Sequence, residues 1–266
     1  MIKPRIVVGA DGSAGATAAV RWAAAEAALR EADLRVVTAF HRHHPVLHDT
    51  TDPQARQAPD DDTAAVLHAA VVVARSAAPG VEVRGLALPG YAAPVLLHAA
   101  EVAALLVVGS RGNRRMPGMP TGSVGNQVAT QSLGSVVVVR GRSGADTGPV
   151  LVGVDDSPAS GPVIGRAFEE ASLHRAPLLA ITVRTGPGES TAAEDQLATW
   201  QEKYPEVTAE AEVVTGRPDK VLAERSAQAR LVVVGPRRHG FEGVLLGEVG
   251  TRLLHQADCP VLIARS

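Results

Sequence analysis

A glycine-rich stretch between residues 109 and 123 has the composition of a ligand-binding loop. It reads Gly109-Ser110-Arg111-Gly112, then nine residues, then Gly122-Ser123. Glycines at both ends let backbone N–H groups approach a ligand closely, and Ser123 would open a helix whose N-terminus attracts an anion. Arg111, Arg114 and Arg115 add positive charge. The stretch therefore predicts a phosphate site.

The loop differs from two well-known phosphate-binding motifs. It has no lysine in the position that a GxxxxGK[ST] loop requires, and no GxGxxG follows the first apolar strand. Taken alone, the same residues are equally typical of a flexible connection between a strand and a helix.

Asp11 supplies a second polar group on the same scaffold. It follows the apolar run Ile6 to Val8, and in a parallel sheet such a residue lies at the carboxyl edge with the loop that starts at Gly109. This combination favours phosphate binding. A turn or helix-capping carboxylate is the alternative for Asp11. A plain helix cap is the alternative for Ser123, and it is compatible with phosphate contact.

The sequence contains this arrangement twice. The segment from Val7 to Ser13 returns as Leu151 to Ser157, and Leu106 to Arg111 returns as Val232 to Arg237. The first copy has a longer loop around residues 41 to 62. Repeats of this size are domains. We expect one domain at residues 1–143 and a second at 147–266.

Short apolar runs alternate with alanine-rich helical segments in both copies. In the first copy strands are predicted at Ile6–Val8, Leu34–Phe40, Val81–Leu88, Leu105–Val108 and Val136–Val139. The helices between them are predicted at Ala14–Arg30, Thr63–Ala77, Ala92–Glu101 and Ser123–Gln131. Apolar strands that alternate with helices predict an α/β fold, a parallel sheet with helices on both faces. In the second copy, Ser157 and Pro158 predict a helix N-cap and first residue.

Composition narrows the class of protein. The chain has 266 residues, 45% of them hydrophobic, with a net charge of −2 and 3% aromatic residues. These values do not favour a nucleic-acid surface. One cysteine, Cys259, cannot form an internal disulfide, and we expect it to be buried and unreactive. No signal-peptide run and no membrane-spanning run is present in the sequence, so we expect a cytoplasmic protein.

Two groups of residues in the long loop could suggest a metal. His41, His43, His44 and His48 match no closed zinc pattern, and no cysteine joins them. We therefore predict no metal site. Asp60, Asp61 and Asp62 are read as acidic capping of the next helix, with Mg²⁺ contact as the alternative.

These motifs together resemble the universal stress protein family. The resemblance rests on Gly-x2-Gly-x9-Gly-Ser, the opening Val-Gly-x-Asp-x-Ser, the turn Gly216-Arg217-Pro218 and Cys259-Pro260-Val261. It covers almost the whole chain as two tandem domains. It implies Rossmann-like domains with five strands in the order 3-2-1-4-5, ATP binding, and a last strand that forms dimers.

The resemblance also implies a role for individual residues of the first copy. Asp11 would contact the ribose and adenine side, with Gly9 and Ala10 in the same pocket, and the backbone of Ala39 would contact adenine. Gly109, Arg111 and Gly112 would follow the phosphate path, and Gly122, Ser123 and Val124 would hold the terminal phosphates. The implied ligand is ATP, which Mg²⁺ can accompany.

The second copy departs from the pattern at its glycine loop. Arg238 replaces the second glycine, the spacer is one residue shorter, and Glu248 stands where Ser123 stands. A glutamate at a helix start competes with phosphate for the same N–H groups. We expect this copy to bind ATP weakly or not at all, with Arg238 paired to Glu248; a phosphate contact from Arg238 is the alternative. The counterparts of the first site are Gly153, Asp155, Val183, Gly235, Arg237 and Gly247.

No catalytic constellation accompanies the loop in the sequence, which favours a nucleotide-dependent regulator or sensor of the stress response over an enzyme. Slow ATP hydrolysis would be incidental. The alternatives are a nucleotide-independent dimeric scaffold and an adenylyl-transferring enzyme. The expected partners are an adenine nucleotide and a protein, with no nucleic acid and no membrane. The two apolar last strands are edges that need cover, so we expect an intramolecular pseudo-dimer whose chains can pair further as a homodimer.

Overall fold

The structure is a computed structural model of the whole chain. It describes residues 3–40, 59–110, 123–142, 147–155, 157, 160–184, 186, 192–238 and 244–265. The chain forms two compact units, Met1–Val128 and Ala129–Ser266, and each is described by itself.

The first unit alternates strands and helices as the sequence predicts. Its elements are β1 (Arg5–Gly9), α1 (Ala14–Leu29), β2 (Asp33–Phe40), α2 (Asp61–Ala77), β3 (Val83–Pro89), α3 (Ala92–Ala100), β4 (Leu105–Gly109) and the start of α4 (Ser123–Gln131), where the division between the units falls. Predicted and observed bounds differ by two residues or fewer. Side-chain caps fix two of the helix starts: Ser13 Oγ accepts the Ala16 N–H at 3.1 Å, and Asp60 Oδ1 accepts the Thr63 N–H at 2.8 Å.

The strands of the first unit form a parallel sheet in the order β3-β2-β1-β4. Gly85 pairs with Val36 and faces α2, whereas Gly9 pairs with Val37 and faces α3. Because successive residues of a strand point to opposite faces, α2 and α3 cover opposite faces of the sheet. The sheet is therefore enclosed by helices, as the apolar strands predict.

The second unit repeats this order after one extra strand. Its elements are β5 (Val136–Val139), β6 (Val150–Val154), α5 (Ser160–His174), β7 (Leu178–Arg184), α6 (Ala192–Gln201), β8 (Ala209–Thr215), α7 (Pro218–Arg225), a 3₁₀ turn (Ser226–Gln228), β9 (Leu231–Val234), β10 (Arg237–Arg238), β11 (Val244–Leu245), α8 (Glu248–Gln256) and β12 (Val261–Ile263). The described part of α5 begins at Ser160; residues 158 and 159 lie outside the described residues, so the cap predicted at Ser157 and Pro158 stays a prediction.

Five strands of the second copy form a parallel sheet in the order β8-β7-β6-β9-β12. Renumbered within the copy, this is the predicted order 3-2-1-4-5. Every residue of β9 and β12 is buried. The α/β fold class is confirmed.

The last strand of the first copy, β5, belongs to the second unit. It pairs antiparallel with β12, and Val138 lies opposite Val261. This pairing covers the two apolar last strands with each other, as expected from their sequence.

Cys259 lies at the entrance to β12 and is fully buried. Burial raises the pKa of its thiol to about 12, so the reactive thiolate form is strongly disfavoured. The prediction of a buried thiol is confirmed. Among the described helices none has the length and apolar character that crossing a membrane requires.

Candidate functional site

The parallel sheet of the first unit brings the predicted site residues to one edge. Gly9 is the last residue of β1, Ala39 the next-to-last of β2, and Gly109 the last of β4. β1 lies between β2 and β4, so the three residues end neighbouring strands. The carboxyl edge of such a sheet is where ligands of doubly wound folds bind.

The turn after β1 is held in place by its own backbone and by Asp11. The Ala10 N–H donates to the Val37 carbonyl at 2.9 Å, which ties the turn to β2. Asp11 Oδ1 accepts the Ser13 N–H at 3.0 Å. Gly12, with φ of 78°, has a backbone conformation that favours glycine. The turn-carboxylate role expected as the alternative for Asp11 is therefore present, and it leaves the residue on the surface at the edge of the sheet.

At Gly109 the backbone of β4 lies very close to the backbone of α1. A Cβ on Gly109 would lie 2.6 Å from the backbone carbonyl of Gly15, in the first turn of α1. A Cβ on Gly125, in the first turn of α4, would lie 3.3 Å from the Gly109 carbonyl oxygen. The end of β4 thus contacts the N-terminal turns of two helices through backbone atoms. Helix N-termini present unpaired N–H groups, so this arrangement suits an anion.

Part of the predicted phosphate path cannot be placed. Arg111, Gly112 and Gly122 lie outside the described residues, as does the histidine cluster at 41–48. The backbone of Ser123 opens α4 as the sequence predicts, and Val124 follows it, half-buried. The contacts assigned to these residues remain predictions.

Thr38 is a polar residue that sequence reasoning missed. Its side chain is buried in β2 beside Ala39, and its hydroxyl has no hydrogen-bond partner in the described part of the chain. Thr182 has the same burial and the same unsatisfied hydroxyl in the second copy. A buried hydroxyl without a partner lowers stability, and both copies have one at this strand end. The pairing of Thr38 with Thr182 in the repeat is the signal that could have identified them.

In the second copy the aspartate after the first strand is bound by two serines. Asp155 Oδ1 accepts the Ser157 N–H at 3.1 Å, the Ser157 hydroxyl at 2.6 Å and the Ser160 hydroxyl at 2.7 Å. Ser160 aligns with Ala16 of the first copy, which has no hydroxyl. The second copy therefore satisfies from within a carboxylate oxygen that a ribose would need.

The second copy's glycine loop is also built differently. Arg237 and Arg238 form β10, which pairs antiparallel with Leu245 and Val244 of β11. The sequence did not predict this ribbon. A Cβ on Gly235 would meet the Val163 side chain at 2.6 Å, and not helix backbone as at Gly109. Gly153 and Val183 lie near the ends of β6 and β7, as Gly9 and Ala39 do in β1 and β2, and Gly247 is the N-cap of α8.

Glu248 at the start of α8 belongs to a network of charged residues. Arg217 Nη2 donates to Glu248 Oε1 at 2.9 Å and to Asp219 Oδ2 at 3.0 Å. Arg252 Nε lies 2.5 Å from the same Asp219 oxygen. The hydrogen bond that Arg217 donates to Asp219 lowers the pKa of the Asp219 carboxyl and raises the pKa of Arg217. Arg217 is thus a partner of Glu248. The structure does not describe the side chain of Arg238, so the expected pair of Arg238 and Glu248 stays a prediction.

Distance along the chain explains why the sequence did not predict the pair of Arg217 and Glu248. Arg217 lies 31 residues before Glu248. Arg238 is nearer to Glu248 in the sequence. A bond between the starts of two helices requires the tertiary structure.

The sequence profile described as the Universal stress protein family matches residues 3–140 and 147–265. The chain therefore belongs to the universal stress protein family, with two tandem family domains. This confirms the resemblance found in the motifs.

Full-length relatives agree with this assignment. Universal stress protein Rv2623 of Mycobacterium tuberculosis (strain ATCC 25618 / H37Rv) is 35% identical, over 98% of this chain and 96% of the relative. Universal stress protein Rv2005c of the same strain is 32% identical, over 100% of this chain and 99% of the relative.

The fold is also shared with a solved structure. A universal stress protein from Archaeoglobus fulgidus DSM 4304 covers 100% of this chain and 99% of its own, with a TM-score of 0.75 and 17% identity. At that identity the likeness concerns the fold.

Proposed function

We propose that the first copy binds an adenine nucleotide, ATP above all, and that its nucleotide state regulates association with a protein partner in the stress response. The proposal includes domains at 1–143 and 147–266 and a second copy that binds ATP weakly or not at all. Mg²⁺ can accompany the nucleotide, and hydrolysis, if present, is slow and incidental.

The observation that carries this proposal is the convergence at Gly109. The backbone of the first turn of α1 comes within 2.6 Å of a Cβ built there, and the first turn of α4 lies on its carbonyl. Asp11 follows β1, and Ala39 lies next to the last residue of β2. The edge therefore offers helix N–H groups for phosphates and a carboxylate for ribose hydroxyls, which is the chemistry of a nucleotide pocket.

Two features of the second copy support its lower affinity. Ser157 and Ser160 occupy an oxygen of Asp155, and Glu248 puts a negative charge on the first residue of α8. A phosphate at that helix start would be repelled by this carboxylate. Arg217 is engaged by Asp219 as well as by Glu248.

A nucleotide that prefers one conformation can act as a regulator at cellular concentrations. At a hundredfold excess over Kd it stabilises the bound state by about 2.7 kcal/mol. That energy is sufficient to shift an association equilibrium by about a hundredfold.

Calorimetric titration of the full chain with ATP and Mg²⁺ tests the proposal. We expect one site per chain, a loss of affinity of about tenfold or more in Asp11→Ala, and unchanged affinity in the matched variant Asp155→Ala. Sedimentation with and without ATP then tests whether the nucleotide changes association. Two equal sites per chain, or equal effects of the two aspartate variants, would contradict the proposal, and so would the absence of binding at millimolar ATP.

A further inference from the structure

Tyr91 is a strongly exposed aromatic residue next to the proposed pocket, and its role here rests on the proposed function. Its side chain is 70% exposed, and it precedes α3 with extended backbone. The N–H of the neighbouring Gly90 donates to the Phe40 carbonyl at 2.9 Å, which ties this turn to the end of β2. Tyr91 therefore lies at the same sheet edge as Ala39.

The second copy shows where a side chain at this position reaches. Arg217 aligns with Tyr91 and precedes α7, the counterpart of α3. Its guanidinium lies 2.9 Å from the carboxylate of Glu248, the first residue of α8. Glu248 aligns with Ser123, the first residue of α4. A side chain at this position can thus span the distance between the two helix starts.

The two turns have the same local geometry, so Tyr91 and Arg217 are placed alike relative to the ends of their second strands. Tyr91 has φ −73° and ψ 140°, and Arg217 has φ −92° and ψ 122°. Each preceding glycine donates to the end of the second strand, at 2.9 Å from Gly90 and 2.8 Å from Gly216. A Cβ built on the preceding glycine would lie at a similar distance from the helix that follows: Gly90 to Val95 at 3.2 Å and Gly216 to Val221 at 3.0 Å. The same holds for the glycine of the first strand in each copy: Gly9 to Leu96 at 2.9 Å and Gly153 to Leu222 at 2.7 Å.

We infer that Tyr91 contacts the phosphate end of the bound nucleotide and sets the preference of the first copy for ATP over AMP. The start of α4 attracts an anion, as the start of α8 would without Glu248. In the second copy the position carries a cation, and an internal carboxylate takes the place of the ligand. In the first copy it carries a neutral phenol, whose hydroxyl can donate to a phosphate oxygen while the ring limits access of water.

Titration of the full chain with ATP and with AMP tests this inference. We expect Tyr91→Phe to weaken ATP binding about threefold to tenfold with AMP binding little changed, because the substitution removes one hydrogen bond to phosphate. Tyr91→Arg should bind ATP about as tightly as the unmodified chain or more tightly, because a guanidinium replaces the phenol. Val102→Ala is the matched control, since Val102 is 71% exposed just beyond the other end of α3.

The outcomes separate this inference from the proposed function. If the unmodified chain binds no adenine nucleotide, the proposed function fails and this inference with it. If the chain binds ATP but Tyr91→Phe and Tyr91→Ala leave the ratio of the ATP and AMP affinities unchanged, the proposed function stands and the role of Tyr91 is overturned. An equal loss of ATP and AMP affinity would also overturn it, because Tyr91 would then contact the nucleoside. Thermal unfolding of each variant shows that the fold is retained.

Discussion

The two copies have different side chains at corresponding helix starts. The second copy has the linked charges of Arg217, Asp219, Glu248 and Arg252. The aligned residues of the first copy are neutral: Tyr91, Ala93, Ser123 and Gln127. The formal charge sums to zero in both sets. A ligand phosphate would therefore meet an internal carboxylate at the first residue of α8, where the first copy has Ser123 at the first residue of α4.

The aspartates after the first strands differ in a similar way. Asp11 accepts the Ser13 N–H at 3.0 Å, and Asp155 accepts the equivalent bond from Ser157 at 3.1 Å. The hydroxyl of Ser160 adds a bond that Ala16 cannot supply. In this fold a few side chains can therefore form hydrogen bonds to the groups that would otherwise bind a ligand, while the order of the strands stays the same.

The largest effect is expected where strand and helix backbones meet. Gly109→Ala would place a Cβ 2.6 Å from the Gly15 backbone, whereas Gly235→Ala would place one 2.6 Å from a Val163 methyl group. Backbone cannot move aside as a side chain can. We expect a loss of about 3 kcal/mol in the free energy of unfolding for Gly109→Ala and about 1 kcal/mol for Gly235→Ala. Urea unfolding measures both, and equal losses would show that the two strand ends are equally tolerant.

The next effect concerns nucleotide affinity in the second copy. With the first site weakened by Asp11→Ala, adding Glu248→Ser should raise the remaining ATP affinity about tenfold, because it removes the anion at the start of α8. Glu224→Ser is the matched control, since Glu224 is an exposed residue near the other end of α7. Calorimetric titration measures the change. An equal gain in the control would show that overall charge, and not the position of Glu248, limits binding.

Low pH should destabilise the second copy through Asp219, whose counterpart in the first copy is the uncharged Ala93. Its folded pKa is lowered, first by the hydrogen bond from Arg217, so its contribution to stability is present above the unfolded pKa of about 3.9 and is lost as the pH falls through the folded value. Asp219→Asn should therefore reduce the free energy of unfolding at pH 7 and have a smaller effect near pH 3. Urea unfolding at both pH values measures this. A reduction of the same size at both would indicate a packing role for Asp219 without charge.

Local sequence patterns predicted most of the fold and part of the site. Strand and helix bounds followed from apolar runs and from caps such as Ser13 and Asp60, because these signals act over a few residues. The antiparallel partner of β5 followed from the need to cover an apolar edge.

Features that depend on tertiary contact were missed. The pair of Arg217 and Glu248 joins two helix starts, and the hydroxyl of Ser160 reaches back five residues to Asp155. The bonds that the N–H and hydroxyl of Ser157 make to Asp155 were also missed, because a short motif does not show which nearby polar group a serine will bond.

The smallest expected effect tests what the copies share. Thr38 and Thr182 each bury a hydroxyl that has no hydrogen-bond partner among the described residues. Valine has nearly the same shape and removes the buried polar group, so Thr38→Val and Thr182→Val should each raise the free energy of unfolding by about 0.5 to 1 kcal/mol. Urea unfolding without nucleotide measures both. If only one substitution stabilises, the other hydroxyl is satisfied by water, and the two copies then differ inside their sheets as well as at their helix starts.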